Sequence, residues 1–443
     1  VGCSTGEVRS RLVECLNLSA RNLTRSIVGN HLMQLEAQTT LPGHIDAPAW
    51  LTDGPNPWPP LEVLACRNEL VHLPSCLARI SHQHVADFVR SPAVAGSCGQ
   101  NSHEFCYTTL GPATWRRPAT PAFFNTAALA FDFDPDAGEP AAWQRFLTDL
   151  WGDDQESRET LREWFGYSLT HDTSQQKILM LVGPPRSGKG TIARILSELV
   201  GRKNVAGPTL SSLGTNFGLW PLVGKSLAIV SDARLGGRSD RVAITERLLS
   251  ISGEDALTVD RKNLEPVTCT LPARFVILTN ELPRFTDSSG ALASRMIVLR
   301  LTRSWLGKED HRLTARLRCE LPGILLWAIA GWRRLRERGY FEEPPASAGM
   351  RQQLDDLTSP IKVFIRERCQ VGPEHRVVRG DLYHAYKKWC GEVGRNRVED
   401  DAGFGRQLLA AVPAISSAQR RVNGEPKRFY DGIGLPVGEF QDV

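Results

Sequence analysis

Residues 178–191 read Ile178-Leu179-Met180-Leu181-Val182-Gly183-Pro184-Pro185-Arg186-Ser187-Gly188-Lys189-Gly190-Thr191. Five consecutive apolar residues predict a strand buried on both faces. The next segment carries Ile192, Ile195, Leu196 and Leu199 on one side of a helix. A strand, a glycine-rich loop and a helix in that order make a phosphate-binding loop. Its glycines let backbone N–H groups close around phosphate oxygens, and the helix N-terminus adds the positive end of its dipole. Lys189 is placed to reach the β- and γ-phosphates. One position departs from the common pattern. The residue after the lysine normally carries the hydroxyl that binds Mg²⁺, and here it is Gly190, with Thr191 one step later. Phosphate binding is therefore expected, and Gly190 leaves the direct Mg²⁺ ligand open at this point.

Two further apolar runs follow, Leu227–Val230 and Arg274–Leu278, with helical stretches between them. That alternation predicts an α/β domain with a mainly parallel sheet, extending to about Gly339. Each run ends on a polar residue. Leu227–Val230 leads into Ser231 and Asp232, 43 residues after Lys189. A carboxylate there suits metal binding and polarisation of water. A second acid would ordinarily stand beside it; the neighbour is Ser231, and Glu246 and Glu254 are the substitutes that the sequence offers. The third run ends on Thr279-Asn280, where Asn280 could bond the γ-phosphate or orient the attacking water. Arg295 lies fifteen residues further on, within Asp287–Arg295.

The chain has 443 residues, 41% hydrophobic and 23% charged, enough for two or three domains. Its formal net charge of +4 excludes a polybasic protein, so any nucleic-acid surface must be local. No apolar run approaches the roughly 18 residues of a membrane span, and the longest lies around Ile324–Ala330. The ten cysteines are scattered without a CxxC, which suits a reduced, cytoplasmic protein. The patch Cys76, His82, His84, Cys98, His103 and Cys106 follows no usual zinc spacing and reads as ordinary buried cysteines and surface histidines. Asp132, Asp134 and Asp136 read as a solvated turn, because a calcium loop would need Gly and Glu where Ala137 and Trp143 stand.

Five regions are expected. Residues 1–120 form an α/β or irregular region, with helical spacing before Leu41, a proline-rich connection over 42–60 and strand-like pieces at Leu61–Ala65 and Asn68–Leu73. Residues 121–170 form a mainly helical lead-in (Trp143–Leu150, Glu159–Leu169). Residues 171–343 form the nucleotide domain, 344–358 a linker and 359–443 a last small domain. In that domain Ile361, Phe364 and Ile365 fit one helix, a second starts near Asp381 as N-cap, and a third covers Phe404–Ala411. A hairpin then turns at Asn423-Gly424. Three helices and a basic hairpin suggest a winged helix. Residues 402–430 carry five basic residues (Arg406, Arg420, Arg421, Lys427, Arg428) against Glu425 alone, which suits contact with duplex phosphates.

The phrases RSGKGTI, SDAR, LLSISGEDALTVDRKN, LTNELPRFTDSSGALASR and ELPGILLWAIAGWRRL, in this order, resemble superfamily 3 helicases. This is the AAA+-related type found in small DNA viruses, poxvirus primase–helicases and phage or plasmid primases, and the phage/plasmid primase branch is the one resembled. LREWFGYSLTHDTSQQK resembles the helical module leading into that helicase. The resemblance covers roughly residues 60–345. It implies an AAA+-like P-loop NTPase acting as an ATP-driven, Mg²⁺-dependent hexamer that moves 3′ to 5′ on single-stranded DNA. It makes Lys189 and Thr191 the Walker A pair, Asp232 the Walker B acid, Asn280 the sensor and Arg295 an arginine finger. It also gives a role to the two β-like pieces flanking Arg261-Lys262-Asn263: a hairpin projecting into the ring channel, with Arg261 and Lys262 on DNA. A primase domain usually precedes such a helicase, and the start at Val1, not methionine, is consistent with one having been cut off or encoded elsewhere. Two other readings stay open. One is a small-molecule nucleotide kinase, suggested by Gly-Lys-Gly-Thr; the other is an ATP-switched DNA-binding initiator or regulator that does not unwind.

Overall fold

The computed structural model describes residues 48–51, 58–76 and 115–436, apart from positions 121, 126–127, 234, 236–239, 288, 396–397 and 423–424. The helical spacing before Leu41, the His82–Cys106 part of the cysteine–histidine patch and the Asn423-Gly424 turn lie outside the described residues.

The centre of the molecule is a five-stranded, fully parallel sheet. Its strands are β1 (Ile178–Val182), β2 (Val205–Ala206), β3 (Leu227–Val230), β6 (Arg274–Thr279) and β7 (Met296–Arg300). Between β3 and β6, strands β4 (Ala256–Arg261) and β5 (Leu264–Thr270) pair only with each other, as an antiparallel hairpin. The order across the sheet is β7-β1-β6-β3-β2, so the strand ending at Asn280 lies between the phosphate-loop strand and the strand leading to Asp232. Both neighbours of β6 are in register with it: Thr279 opposes Val182, and Ile277 opposes Val230.

Side-chain alternation in these strands fills two separate cores. Leu179, Leu181, Ile229, Val276, Leu278 and Leu299 face one core; Ile178, Met180, Val182, Val230, Phe275 and Ile277 face the other. A sheet covered on both faces needs continuous apolar strands, which is what the three runs showed. Met180→Ala or Leu181→Ala would cost about 2–5 kcal/mol by leaving a cavity. The first core also takes in helices α1 (Ala141–Trp151), α2 (Gln155–Ser168), α3 (Lys189–Val200) and α5 (Leu321–Arg338), through Trp143, Trp164, Phe165 and Trp327 among others. The second is covered by α4 (Arg241–Ser252) through Ile244, Leu248 and Ile251.

The lead-in helices are bolted to the sheet by a buried cation. Arg274, at the start of β6, is buried; its guanidinium sits 4.5 Å from the Tyr167 ring and donates to Thr170 O at 2.7 Å and to Asp172 O. The expected linker, 344–358, is different from its sequence reading. It forms helix α6 (Pro345–Thr358), with Pro345 in its first turn, and packs on β7.

The first region contributes a three-stranded antiparallel sheet, Val63–Ala65, Glu69–His72 and Arg116–Pro118. Asp132 bonds Arg67 at 2.8 and 2.5 Å, and Asp134 accepts from the Asp136 N–H at 3.0 Å, so the aspartates form a turn with an ion pair. The last region runs helix Pro360–Arg368, strand Gln370–Val378, helices Arg379–Glu392 and Asp401–Ala411, then strands Ser416–Val422 and Glu425–Gly434. The three strands form one antiparallel sheet. Asp381 falls inside the first turn of its helix and not at the cap, which is Val378 with no side-chain bond. The third helix is capped by Asp400, whose carboxylate accepts from Gly403 N–H at 2.7 Å. Among the described residues no helix is long and apolar enough to cross a membrane.

Candidate functional site

The phosphate loop Gly183–Gly188 leaves the C-terminal end of β1 and enters α3 at Lys189. Two glycines are required by geometry. A Cβ on Gly183 would lie 2.4 Å from the Leu301 carbonyl oxygen of the β7 exit. Gly188 has φ +93°, and a Cβ there would lie 2.8 Å from Leu150 of α1. The loop is thus clamped between the β7 exit and the lead-in helix.

Lys189 is buried. Its ammonium donates to Gly183 O at 2.6 Å, Pro184 O at 2.8 Å, Ser187 Oγ at 3.1 Å and Asn280 Oδ1 at 3.0 Å. Burial pulls it below the usual lysine range. The lysine and the amide of Asn280, 91 positions apart in sequence, therefore meet directly. They do so because β6 pairs with β1, and Gly183 N–H bonds Thr279 O at 3.2 Å. Thr191 lies in the first turn of α3, and its hydroxyl accepts from Arg194 at 3.0 Å.

Asp232 stands two residues past the end of β3 and is exposed. An open groove beside Lys189 and Gly190 is lined by Ser231. The next residue but one holds the turn, with Ala233 N–H donating to Leu278 O at 3.2 Å. Among the described residues no three His, Cys, Asp or Glu side chains cluster to hold a metal. Magnesium does not require such a cluster, because it commonly takes one or two protein oxygens, substrate phosphates and water. The hydroxyl of Thr191 and the carboxylate of Asp232 are hard oxygen donors that fit this pattern.

Arg295 lies elsewhere. It ends the short helix Ala291–Arg295 just before β7, at the opposite edge of the sheet from the phosphate loop. Its guanidinium donates to Leu249 O at 2.5 Å and Ser252 Oγ at 2.9 Å, at the C-terminus of α4. A strand of five residues, at about 3.3 Å each, separates it from the loop of its own chain.

The β4–β5 hairpin springs from that same edge. Arg261 opposes Leu264 across the tip, Asn263 has φ +61°, and Lys262 is exposed. Arg261 donates from Nε to Glu265 O at 2.7 Å and lies 5.6 Å from the Trp220 ring. In the last region Arg406, Arg421, Lys427 and Arg428 are exposed. Arg420 pairs with Asp431 at 2.8 Å, so its charge is partly spent within the sheet.

Sequence reading missed the other walls of the site. A cavity of about 570 Å³ opens from residues 185–191 and Asn280 and is bounded also by Phe146 and Asp149 of α1 and by Trp305, Glu309 and Leu313 after β7. Ser304 Oγ donates to Pro185 O at 2.8 Å, Trp305 N–H donates to Arg186 O at 3.0 Å, and Glu309 pairs with Arg186 at 3.3 Å. Nothing local in the 301–316 sequence signals this contact.

The model of a family of unknown function (DUF5906) matches residues 181–295, from inside β1 to Arg295. Among solved structures, the chain is similar to the apo structure of the NrS-1 C terminal region (305–718), with 16% identity, 68% of this chain and 78% of that chain covered, and a TM-score of 0.45. The A form apo structure of the same region gives 14% identity, 69% and 78% coverage and a TM-score of 0.43.

Proposed function

We propose that the protein is an ATP-dependent DNA helicase of the phage or plasmid primase–helicase type, working as a ring, most simply a hexamer, with 3′ to 5′ movement on single-stranded DNA. The observation that carries this reading is the 3.0 Å contact between Lys189 and Asn280 at the C-terminal edge of a parallel sheet whose Asn280 strand is inserted beside the phosphate-loop strand. That insertion supports an AAA+-like domain. Lys189 would hold the β- and γ-phosphates, Thr191 and Asp232 would hold Mg²⁺, and Asn280 would orient water against the γ-phosphate. Mg²⁺ would supply charge neutralisation on the phosphates.

The location of Arg295, at the far edge from its own loop, supports a role toward the nucleotide of a neighbouring subunit. The exposed Lys262 at the tip of an unpaired hairpin supports contact with DNA phosphates. The helix–strand–helix–helix–hairpin order of the last region, with Arg406, Arg421, Lys427 and Arg428 exposed, supports a winged helix on duplex DNA. Ser231 beside Asp232 favours a second reading, an ATP-switched DNA-binding initiator with weak hydrolysis. ATPase rates with and without single-stranded DNA, together with strand displacement on 3′- and 5′-tailed duplexes, separate the two. DNA-stimulated turnover with unwinding of the 3′-tailed duplex is expected; ATP binding with neither stimulation nor unwinding would leave only the switch.

A further inference from the structure

The cavity beside the phosphate loop is lined by two chemically different sets of groups. One is the loop N–H groups and the Lys189 ammonium, suited to phosphate. The other is the apolar surface of Phe146, Trp305 and Leu313, set among charged lining residues that include Arg145, Lys308, Glu309 and Arg316. We propose that this apolar surface is a nucleobase subsite, with Trp305 as the face on which the base stacks. The proposal rests on the reading of residues 183–191 as a triphosphate loop and extends it to the nucleoside.

Three observations support it. First, the apolar groups and the phosphate loop line one cavity, and about 570 Å³ is within the roughly 300–1,000 Å³ that encloses a ligand of nucleotide size. Second, Trp305 is held at the loop by its backbone. Its N–H donates to Arg186 O at 3.0 Å, its carbonyl accepts from Lys308 N–H at 2.8 Å, and Ser304 just before it bonds Pro185 O at 2.8 Å. The half-buried indole packs against the first core and has the Arg303 guanidinium 5.8 Å from its ring centre, so little side-chain entropy is left to lose when a base stacks on its free face. Third, Phe146 lines the same cavity while itself buried. The helix that carries it touches Gly188 of the loop, so this apolar group and the phosphate loop are positioned by the same contact.

Isothermal titration of ATP and of inorganic tripolyphosphate, each with Mg²⁺, tests this on the wild-type chain, Trp305→Ala and Trp305→Phe. Stacking on one aromatic side chain predicts that Trp305→Ala weakens ATP about tenfold, that Trp305→Phe retains most of the affinity, and that tripolyphosphate binds all three alike. Unchanged tripolyphosphate binding also reports that the variants are folded. An equal loss for ATP and tripolyphosphate in Trp305→Ala would overturn the proposal, because the tryptophan would then only shape the loop. Equal wild-type affinity for the two ligands would likewise overturn it while leaving the phosphate-loop reading standing. Failure of the wild-type chain to bind either would overturn the phosphate-loop reading itself, and the base subsite with it.

Discussion

The two edges of the central sheet are built on opposite principles. At the C-terminal edge, polar side chains converge beside an open cavity: the Lys189 ammonium donates to Ser187 Oγ at 3.1 Å and to Asn280 Oδ1 at 3.0 Å. At the N-terminal edge, two arginines turn inward and bond their own chain, although the buried Arg274 Nε has no partner and Arg295 stays half-exposed. Arg274 is buried against Tyr167, Thr170 and Asp172, and Arg295 is tied to the end of α4. The first edge borders an open cavity, while the second ties the lead-in helices to the sheet through Arg274 and the end of α4 to the start of β7 through Arg295.

Substitutions at the two edges should therefore fail differently. The largest effect belongs to the open edge: Lys189→Ala should reduce ATP turnover to background and weaken ATP binding, both measurable by a coupled ATPase assay and titration. Next comes the far edge. Arg295→Ala should keep ATP affinity within about twofold while lowering kcat by about 10³-fold, the scale of a removed arginine finger. Normal hydrolysis by this variant would remove Arg295 from the catalytic account and leave it as a helix-end clamp.

The inward-turned edge should also show in acid. Burial, with the nearby Arg274 charge adding to it, pushes His171 down to about 4. Its ordinary value is about 6.5. The unfolded chain thus takes up this proton first, so the stability contributed by neutral His171 is whole above about pH 6.5 and is lost as pH falls toward 4. Denaturant unfolding at pH 7.5 and pH 5 should show about 2 kcal/mol less acid destabilisation in His171→Gln than in the wild type. An identical pH dependence would mean that His171 is solvated. The smallest effect is expected at the hairpin tip. Lys262→Ala should weaken single-stranded DNA binding and lower the salt slope by about 1, with ATP affinity unchanged.

The open edge was largely legible in the sequence, and the other edge only in its hairpin. Ile178–Val182, Leu227–Val230 and Arg274–Thr279 are buried on both faces, so their apolar runs are continuous and end at the polar residues of the site. Lys189 could be placed by the glycine loop before its helix and Asn280 by its position just past a strand end, since register in a parallel sheet aligns those ends. The hairpin was legible from two β-like pieces around a polar turn. Strand Met296–Arg300 carries the same apolar signal in Met296–Leu299, directly after Arg295. Strand Gln370–Val378 gave little, being mostly exposed and polar and held by pairing with the distant Glu425–Gly434. The stretch from Pro344 to Gly349 looked like a linker because Pro, Ala, Ser and Gly dominate it, yet Pro345 serves as a helix start once packing on β7 is available. Trp305 and Phe146 became visible as site residues only when folding brought the β7 exit and α1 to the loop.

Under the proposed function, the two edges would complete one another across subunits. Lys189→Ala and Arg295→Ala chains, each inactive alone, provide the direct test when mixed in equal amounts under conditions where they co-assemble. Random mixing places an intact Lys189 site against an intact Arg295 at about a quarter of the interfaces, so the mixture should regain a substantial part of DNA-stimulated ATP hydrolysis. Co-assembled mixtures that stay at background would contradict a site shared between neighbouring subunits.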